Sequence, residues 1–409
     1  MRNTLDDAAR QAIGSACDDV ANGGEGDLVD RVVPALVARP TSTQQVSEVL
    51  RAAAAHDLTV VPRGRGTKLS WGLPPTSADV VLDVSGMDQV LDHQAGDLIV
   101  ETQAGTRLSE LQAVVGKEGQ RLVLDETVPG ASIGGTLATN ASGPQRVLVG
   151  TARDLLIGVT VVRADGVVAK AGGRVVKNVA GYDLGKLVIG SFGTLAVVTE
   201  ALFRLHPLPS VQRWVSLEVP DAAAAHEVTQ SVVHAQVVPG AVEVDWPAEG
   251  PGTVTVLLGG KAEGVEGRVA TLRELLGERC TVREDAPAGW TSYPWGAGDT
   301  ALKLTTVLSG VRDVLETARD AGAVVRGSAG SGVLHAAVPS PDRAVAAVDR
   351  LRATCARHQG SVVVLDAPPE VKQAVDVWGP VAALELMRRV KDQFDPEHRL
   401  APGRFVGGI

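Results

Sequence analysis

Fifteen residues in a row, PGASIGGTLATNASG at positions 129–143, contain nothing bulkier than Ile133 and Leu137. Such a stretch cannot build an ordinary core. It suits backbone that lies close to a flat or anionic ligand, because glycine removes the side chains that would collide there. Small hydroxyls and one amide supply the polar contacts. Two further segments share this texture. Val61-Pro62-Arg63-Gly64-Arg65-Gly66-Thr67 ends an apolar strand, and its two glycines let successive N–H groups turn inward on an anion such as a pyrophosphate. Arg63, Arg65 and the Thr67 hydroxyl stand ready to meet phosphate charge. VVKNVAGYDLGKLVIGSFGTLAVVTE, at 175–200, interleaves glycines with β-branched runs around Lys177, Asn178, Tyr182 and Asp183. The first loop is not a GxGxxG opening a helix, so a Rossmann dinucleotide site is not indicated.

The rest of the chain narrows the function classes. A net charge of −9 argues against nucleic acid as the main partner. Cys17, Cys280 and Cys355 are far apart and form no CxxC pair, which disfavours a zinc or iron–sulfur centre within the chain. No apolar run reaches the roughly 18 residues of a spanning helix, and acidic residues near the start disfavour a secretory signal; a cytoplasmic protein is expected. TQQVSEVLRAAAAHD reads as a Ser- or Thr-capped amphipathic helix with Val46, Val49 and Leu50 on one face. Asp165-Gly166 marks a hairpin. The expected organisation is a polar leader at 1–39, a glycine-patterned domain at 40–210, and a second domain at 211–370 in which helices alternate with strands. A helix at 381–394 and the turn DPEHRLAPGRF fill the final segment, 371–409.

The three glycine segments, in this order and with Arg146 and the Ala164-Asp165-Gly166 turn between them, resemble the FAD-binding domain of the vanillyl-alcohol-oxidase (PCMH-type) superfamily over roughly residues 40–210. The resemblance implies an α+β fold: an FAD-binding domain of two α+β subdomains and an α/β second domain of the FAD-linked oxidase type. The turn at 395–404 is similar to the FDPxGxxNPGK ending of the 2-hydroxy-acid-oxidising branch, in which the tail returns to the FAD domain. By resemblance, Pro62, Arg63, Gly64, Arg65, Gly66 and Thr67 bracket the pyrophosphate together with Pro129, Gly130, Ser132, Ile133, Gly134, Gly135, Thr139, Asn140, Ala141, Ser142, Gly143 and Arg146. Gly193, Val197 and Val198 support the flavin. Relatives that attach FAD covalently use a His in the first loop. None stands here, so FAD is expected to be non-covalent.

The pattern breaks on the substrate side. Active members of that branch carry a GHxGDGNLH-like strand whose histidines bind a metal. Gly327-Ser328-Ala329-Gly330-Ser331-Gly332-Val333-Leu334-His335 keeps the glycines and the last His but not the other ligands, so no metal is expected. In the RKxNTGYD motif of those relatives, Val176 and Ala180 replace the Arg and Thr. Lys177, Tyr182 and His335 remain as catalytic candidates: Lys177 as a contact to flavin or substrate anion or as a structural lysine, Tyr182 as an acid or a ring packed on the flavin, His335 as a lone ligand or a half-buried strand residue. A flavin domain with a worn substrate site resembles the E-type subunits of bacterial glycolate oxidases. That likeness implies a D-type flavoprotein and an iron–sulfur F-type subunit as partners, association with a membrane only through them, and oxidation of glycolate or another 2-hydroxy acid. A stand-alone flavin oxidase of another alcohol or sugar, and a non-catalytic flavin-fold scaffold, are the alternatives.

Overall fold

Valine-rich triplets and quartets, too short to display a period of two, pair side by side as the first sheet. Its order is Val20–Asn22, Leu36–Ala38, Val80–Asp83 and Val60–Arg63; the last three run parallel and the first antiparallel. Parallel pairing needs a crossover. Helix Thr43–Ala55 supplies one: the Ser42 hydroxyl accepts from the Gln45 amide at 3.2 Å, and Val46, Val49, Leu50 and Ala53 are buried. Val29, Val37, Val61, Ala78 and Val81 form the core beneath. The expected leader is therefore part of this sheet. Its strands are three residues long, which hides them from any periodicity.

The computed structural model describes residues 5–174 and 183–409 and divides into two units. The first is Met1–Ala141, Thr151–Pro207 and Pro380–Ile409; the second is Ser142–Gly150 and Leu208–Gly379. The boundary expected at 210 thus lies close to the one observed, but residues 142–150 leave the first domain. They do so because helix Arg146–Val149 packs on strand Ala241–Trp246.

The first unit adds a five-stranded antiparallel sheet in the order Val90–Gln94, Ile99–Gln103, Val197–Arg204, Leu156–Val162, Val168–Gly172. The last pair is the expected hairpin, with Gly166 at φ +78° where a Cβ would lie 2.4 Å from the Arg51 Cγ. The C-terminal tail returns to this unit: Val60 N–H donates to the Arg399 carbonyl and Ala401 N–H to the Val60 carbonyl, each at 2.9 Å. Helix Leu384–Phe394 carries Lys391, whose ammonium is fully buried and donates to the carbonyls of Thr194 (2.7 Å) and Leu400 (3.0 Å) and to the Asp395 carboxylate (2.6 Å).

The second unit is built on one antiparallel sheet of eight strands, ordered Thr281–Arg283, Val211–Val219, Gly252–Gly260, Ala241–Trp246, Val324–Ser328, Val333–Val338, Thr300–Thr305, Val362–Asp366. Alternation gives it two unlike faces. Val242, Val244, Trp246, Val254, Val256, Leu302, Leu304, Leu334 and Ala336 point one way and are buried. Helices Ala222–His234, Ala262–Leu276, Val311–Asp320 and Pro341–Arg357 bury apolar stripes against the sheet. Trp246 Nε1 donates to the Leu315 carbonyl at 3.1 Å, fixing one of them. The opposite face carries Ser216, Thr255, Glu243, Asp245, Arg326, Ser328, His335 and Lys303, aligned by register. No helix among the described residues is long and apolar enough to cross a membrane.

Candidate functional site

In the first unit the described parts of the three glycine segments, 61–67, 129–141 and 183–200, converge. The loop after strand Val60–Arg63 meets the start of helix Ile133–Thr139, where a Cβ on Gly64 would lie 2.2 Å from the Ser132 Oγ. Gly66 sits at φ +73°. The amides of Gly64, Arg65, Gly66 and Thr67 have no backbone acceptor among the described residues. Ser132 caps the helix by accepting from the Gly135 amide at 3.3 Å, and the Thr139 hydroxyl donates to the Gly135 carbonyl at 2.8 Å. Both oxygens are engaged locally, so they shape the site more than they fill it. The third segment closes the group: the Gly190 and Phe192 amides donate to the carbonyls of Leu137 and Ala138, each at 2.9 Å. Gly193, at φ +75°, has the Pro62 ring 3.4 Å from where its Cβ would stand. Val197 and Val198 are buried opposite Val162 and Val161 as a wall of the five-stranded sheet.

These residues fit a pyrophosphate-bearing cofactor. The amides are anion-ready, and the Asn140 Oδ1, at the helix C-cap in a left-handed conformation, is buried with no hydrogen-bond partner among the described residues. An orphaned acceptor there is completed by a donor on the ligand. Gly64→Ala is accordingly expected to abolish cofactor uptake, since the new methyl collides with Ser132. Adding Ser132→Ala should restore part of it. Flavin absorbance of the purified chains measures both; full uptake by the single variant would contradict this geometry.

The arginines behave differently from expectation. The Arg63 guanidinium is held by Asp83 at 2.8 Å and Asp27 at 3.0 Å; that of Arg65 is held by Asp88 at 3.0 Å and the Gly105 carbonyl at 3.1 Å. Carboxylates from neighbouring strands and turns have claimed both. Pro129 and Gly130 turn above the loop, with the Gly130 amide donating to Glu126 Oε1 at 2.9 Å. A cation that sequence reasoning passed over stands beside the loop instead: Lys68, 8% exposed, with Nζ donating to Thr67 Oγ1 at 3.3 Å. Burial pushes its ammonium down to about 8, against the pull of Glu126. Ser142, Gly143 and Arg146, expected with these residues, belong to the second unit. Lys177 and Tyr182 lie outside the described residues.

In the second unit a cationic group gathers on the polar sheet face. Lys303 and His335 are direct cross-strand partners, and Arg326 is His335's partner on the other side. Lys303 makes no hydrogen bond or ion pair among the described residues. Loss of hydration pushes its ammonium down to about 8, and the positive charge of Arg146 adds to the shift. Burial holds the His335 imidazole well below its ordinary range, with Lys303 and Arg146 adding, so it is neutral near pH 7. Tyr293 and Trp295 stack at 4.4 Å and cover it, their ring centroids 4.5 and 5.9 Å from that of His335. Arg326 pins the segment that carries them by donating to the Gly289 carbonyl at 3.1 Å, while its other nitrogen pairs with Asp245 at 2.9 Å.

A cavity of about 590 Å³ lies on the same face beyond Arg326. Its lining balances Arg279, Arg283 and Arg326 against Glu218, Glu243 and Asp245. Lys303, by contrast, has no carboxylate paired with it among the described residues. Among the described residues no three His, Cys, Asp or Glu side chains gather as metal ligands. His335 was foreseen from the glycine skeleton around it. Lys303 was missed, although the alternation of Ala301, Lys303 and Thr305 with Leu302 and Leu304 marked it as facing the polar side.

Comparison with known proteins bears mainly on the first unit. The FAD binding domain family matches residues 34–172, and the C-terminal domain of FAD linked oxidases matches residues 372–405. The glycolate oxidase subunit GlcD of Bacillus subtilis is 30% identical over 212 residues, 52% of this chain and 45% of that protein, so the match spans less than half of GlcD. A D-lactate dehydrogenase of Archaeoglobus fulgidus is 36% identical over 42% of this chain and 39% of its own length. An FAD-linked oxidoreductase of Mycobacterium tuberculosis is 27% identical over 91% of both chains. Among solved structures, an alkyldihydroxyacetonephosphate synthase shares the fold with a TM-score of 0.69 at 18% identity, covering 91% of this chain and 76% of that one.

Proposed function

Since residues 34–172 match the FAD binding domain family, residues 372–405 match the FAD linked oxidase C-terminal domain and FAD is the cofactor, we propose that this chain oxidises glycolate or a similar small 2-hydroxy acid and hands the electrons to an iron–sulfur partner. The observation that carries this reading is Lys303, which makes no hydrogen bond or ion pair among the described residues, beside Arg146 and a neutral His335. A substrate carboxylate placed on Lys303 completes a half-buried cation for which no counter-ion stands among the described residues. His335 has an imidazole nitrogen without a proton near pH 7 and can accept one from the substrate hydroxyl. FAD, when bound, supplies the hydride acceptor for the α-carbon, leaving a 2-oxo acid. Tyr293 and Trp295 exclude water above the imidazole and offer an apolar wall to the substituent. Cys17, Cys280 and Cys355 are each buried as free thiols, so the reading places any iron–sulfur cluster on a partner, with a D-type flavoprotein completing the complex.

Anaerobic mixing with a panel of 2-hydroxy acids tests it. Bleaching of the flavin by an acid, and none by its alcohol analogue, is the expected result; bleaching by sugars or simple alcohols instead would favour the stand-alone oxidase. A pH dependence follows from Lys303. Its ammonium is charged below about 8 and, among the described residues, stands by Arg146 and the neutral His335, with Arg326 further along the row already paired to Asp245. Carboxylate binding is therefore full below that pH and is lost above it. KM is expected to rise roughly tenfold per unit above about pH 8. A KM that stays flat to about pH 10 would remove Lys303 from the site.

A further inference from the structure

We propose that Lys68 is the charge partner of the FAD pyrophosphate, taking the role that the loop arginines have given up to carboxylates. The inference rests on FAD binding by the first unit. Lys68 follows Thr67 directly, and its ammonium carries three hydrogens. The one acceptor it reaches among the described residues is Thr67 Oγ1 at 3.3 Å, within the loop itself. Glu126 contributes a distant attraction, and its Oε1 is occupied by the Gly130 amide. Arg63 and Arg65, the other cations of the loop, are tied to Asp83, Asp27 and Asp88. Among the described cations at the loop, an anion entering between the amides of Gly64–Thr67 thus meets Lys68 as the one not paired to a carboxylate.

A buried ammonium with open donors destabilises a fold unless an anion completes it. Lys68 should therefore act with opposite signs in the two states of the protein. Without FAD it is a burden; with FAD it is a contact. A lysine kept for structure alone, through Glu126, would lower stability in both states when removed.

The full chain stripped of FAD, titrated with FAD and separately with riboflavin by flavin fluorescence, separates these roles. Lys68→Met is expected to weaken FAD binding by about 30-fold or more, to leave riboflavin binding unchanged, and to leave the Tm of the FAD-free chain equal or higher. Lys68→Arg should stay within about fivefold of the unsubstituted chain, since it keeps the charge. FAD binding by Lys68→Met as tight as by the unsubstituted chain overturns the inference, as does a parallel loss of FAD, riboflavin and Tm. Failure of the unsubstituted chain to take up FAD would overturn the cofactor reading, and this inference with it.

Discussion

Replacing Lys303 with methionine is expected to lower kcat/KM for 2-hydroxy acids by about 10²- to 10³-fold, the scale of losing one partner of a buried charge pair. FAD content should be unchanged, because the FAD cradle is built from residues of the other unit. Methionine fills much of the same volume without a charge, so the sheet has no reason to unfold. Removing an ammonium that makes no hydrogen bond or ion pair among the described residues relieves the resting protein of a partly desolvated ion. The loss should appear mainly in KM, and Lys303→Arg should recover part of it while shifting the pH dependence upward, since guanidinium does not titrate in the accessible range. A Lys303→Met chain with kcat/KM within about threefold of the original would assign the carboxylate to other residues.

The second large effect is structural. Asp395 is fully buried and accepts from the Lys391 ammonium at 2.6 Å, from the Leu400 amide at 2.7 Å and from the Arg399 amide at 3.0 Å. Asp395→Ala strands a buried cation and two backbone donors at once. Breaking such a pair from one side costs about 3–5 kcal/mol. The same change frees the segment that holds Arg404, whose guanidinium donates to the carbonyls of Leu69 (2.7 Å) and Trp71 (2.8 Å) just after the cofactor loop. Denaturant unfolding and flavin release should therefore shift together. Loss of stability with FAD held as tightly as before would show that the tail does not position the loop.

Parts of this architecture were legible from local chemistry. Helix Thr43–Ala55 announces itself through its Ser cap and apolar stripe, and the Asp165-Gly166 hairpin through its turn residues. The three glycine segments stood out because few stretches carry so little side chain, and their described parts meet in the first unit. What escaped was set by non-local pairing. Nothing near Arg63 reveals that Asp83 will stand beside it in a parallel strand, so its ion pairing was not foreseen. Arg146 carries no local sign that it will join Lys303 and His335, since that meeting depends on sheet register far along the chain. Buried lysines are rare enough that Lys68 and Lys303 were passed over. In Lys303 the period of two was present, but it was not used.

The pairing of residues 395–404 with the first sheet bears on how the protein is made. Arg404 reaches the Leu69 carbonyl across 335 positions of sequence, and Lys391 reaches Thr194 across 197. A ribosome delivers the FAD-binding segments long before it delivers the residues that brace them, and the whole second unit is synthesised in between. The nascent cradle must wait, open at the edge strand Val60–Arg63, until that tail emerges. Cofactor capture is thereby expected as a post-translational event, and chains released early should be recognisable by protein quality control as flavin-free.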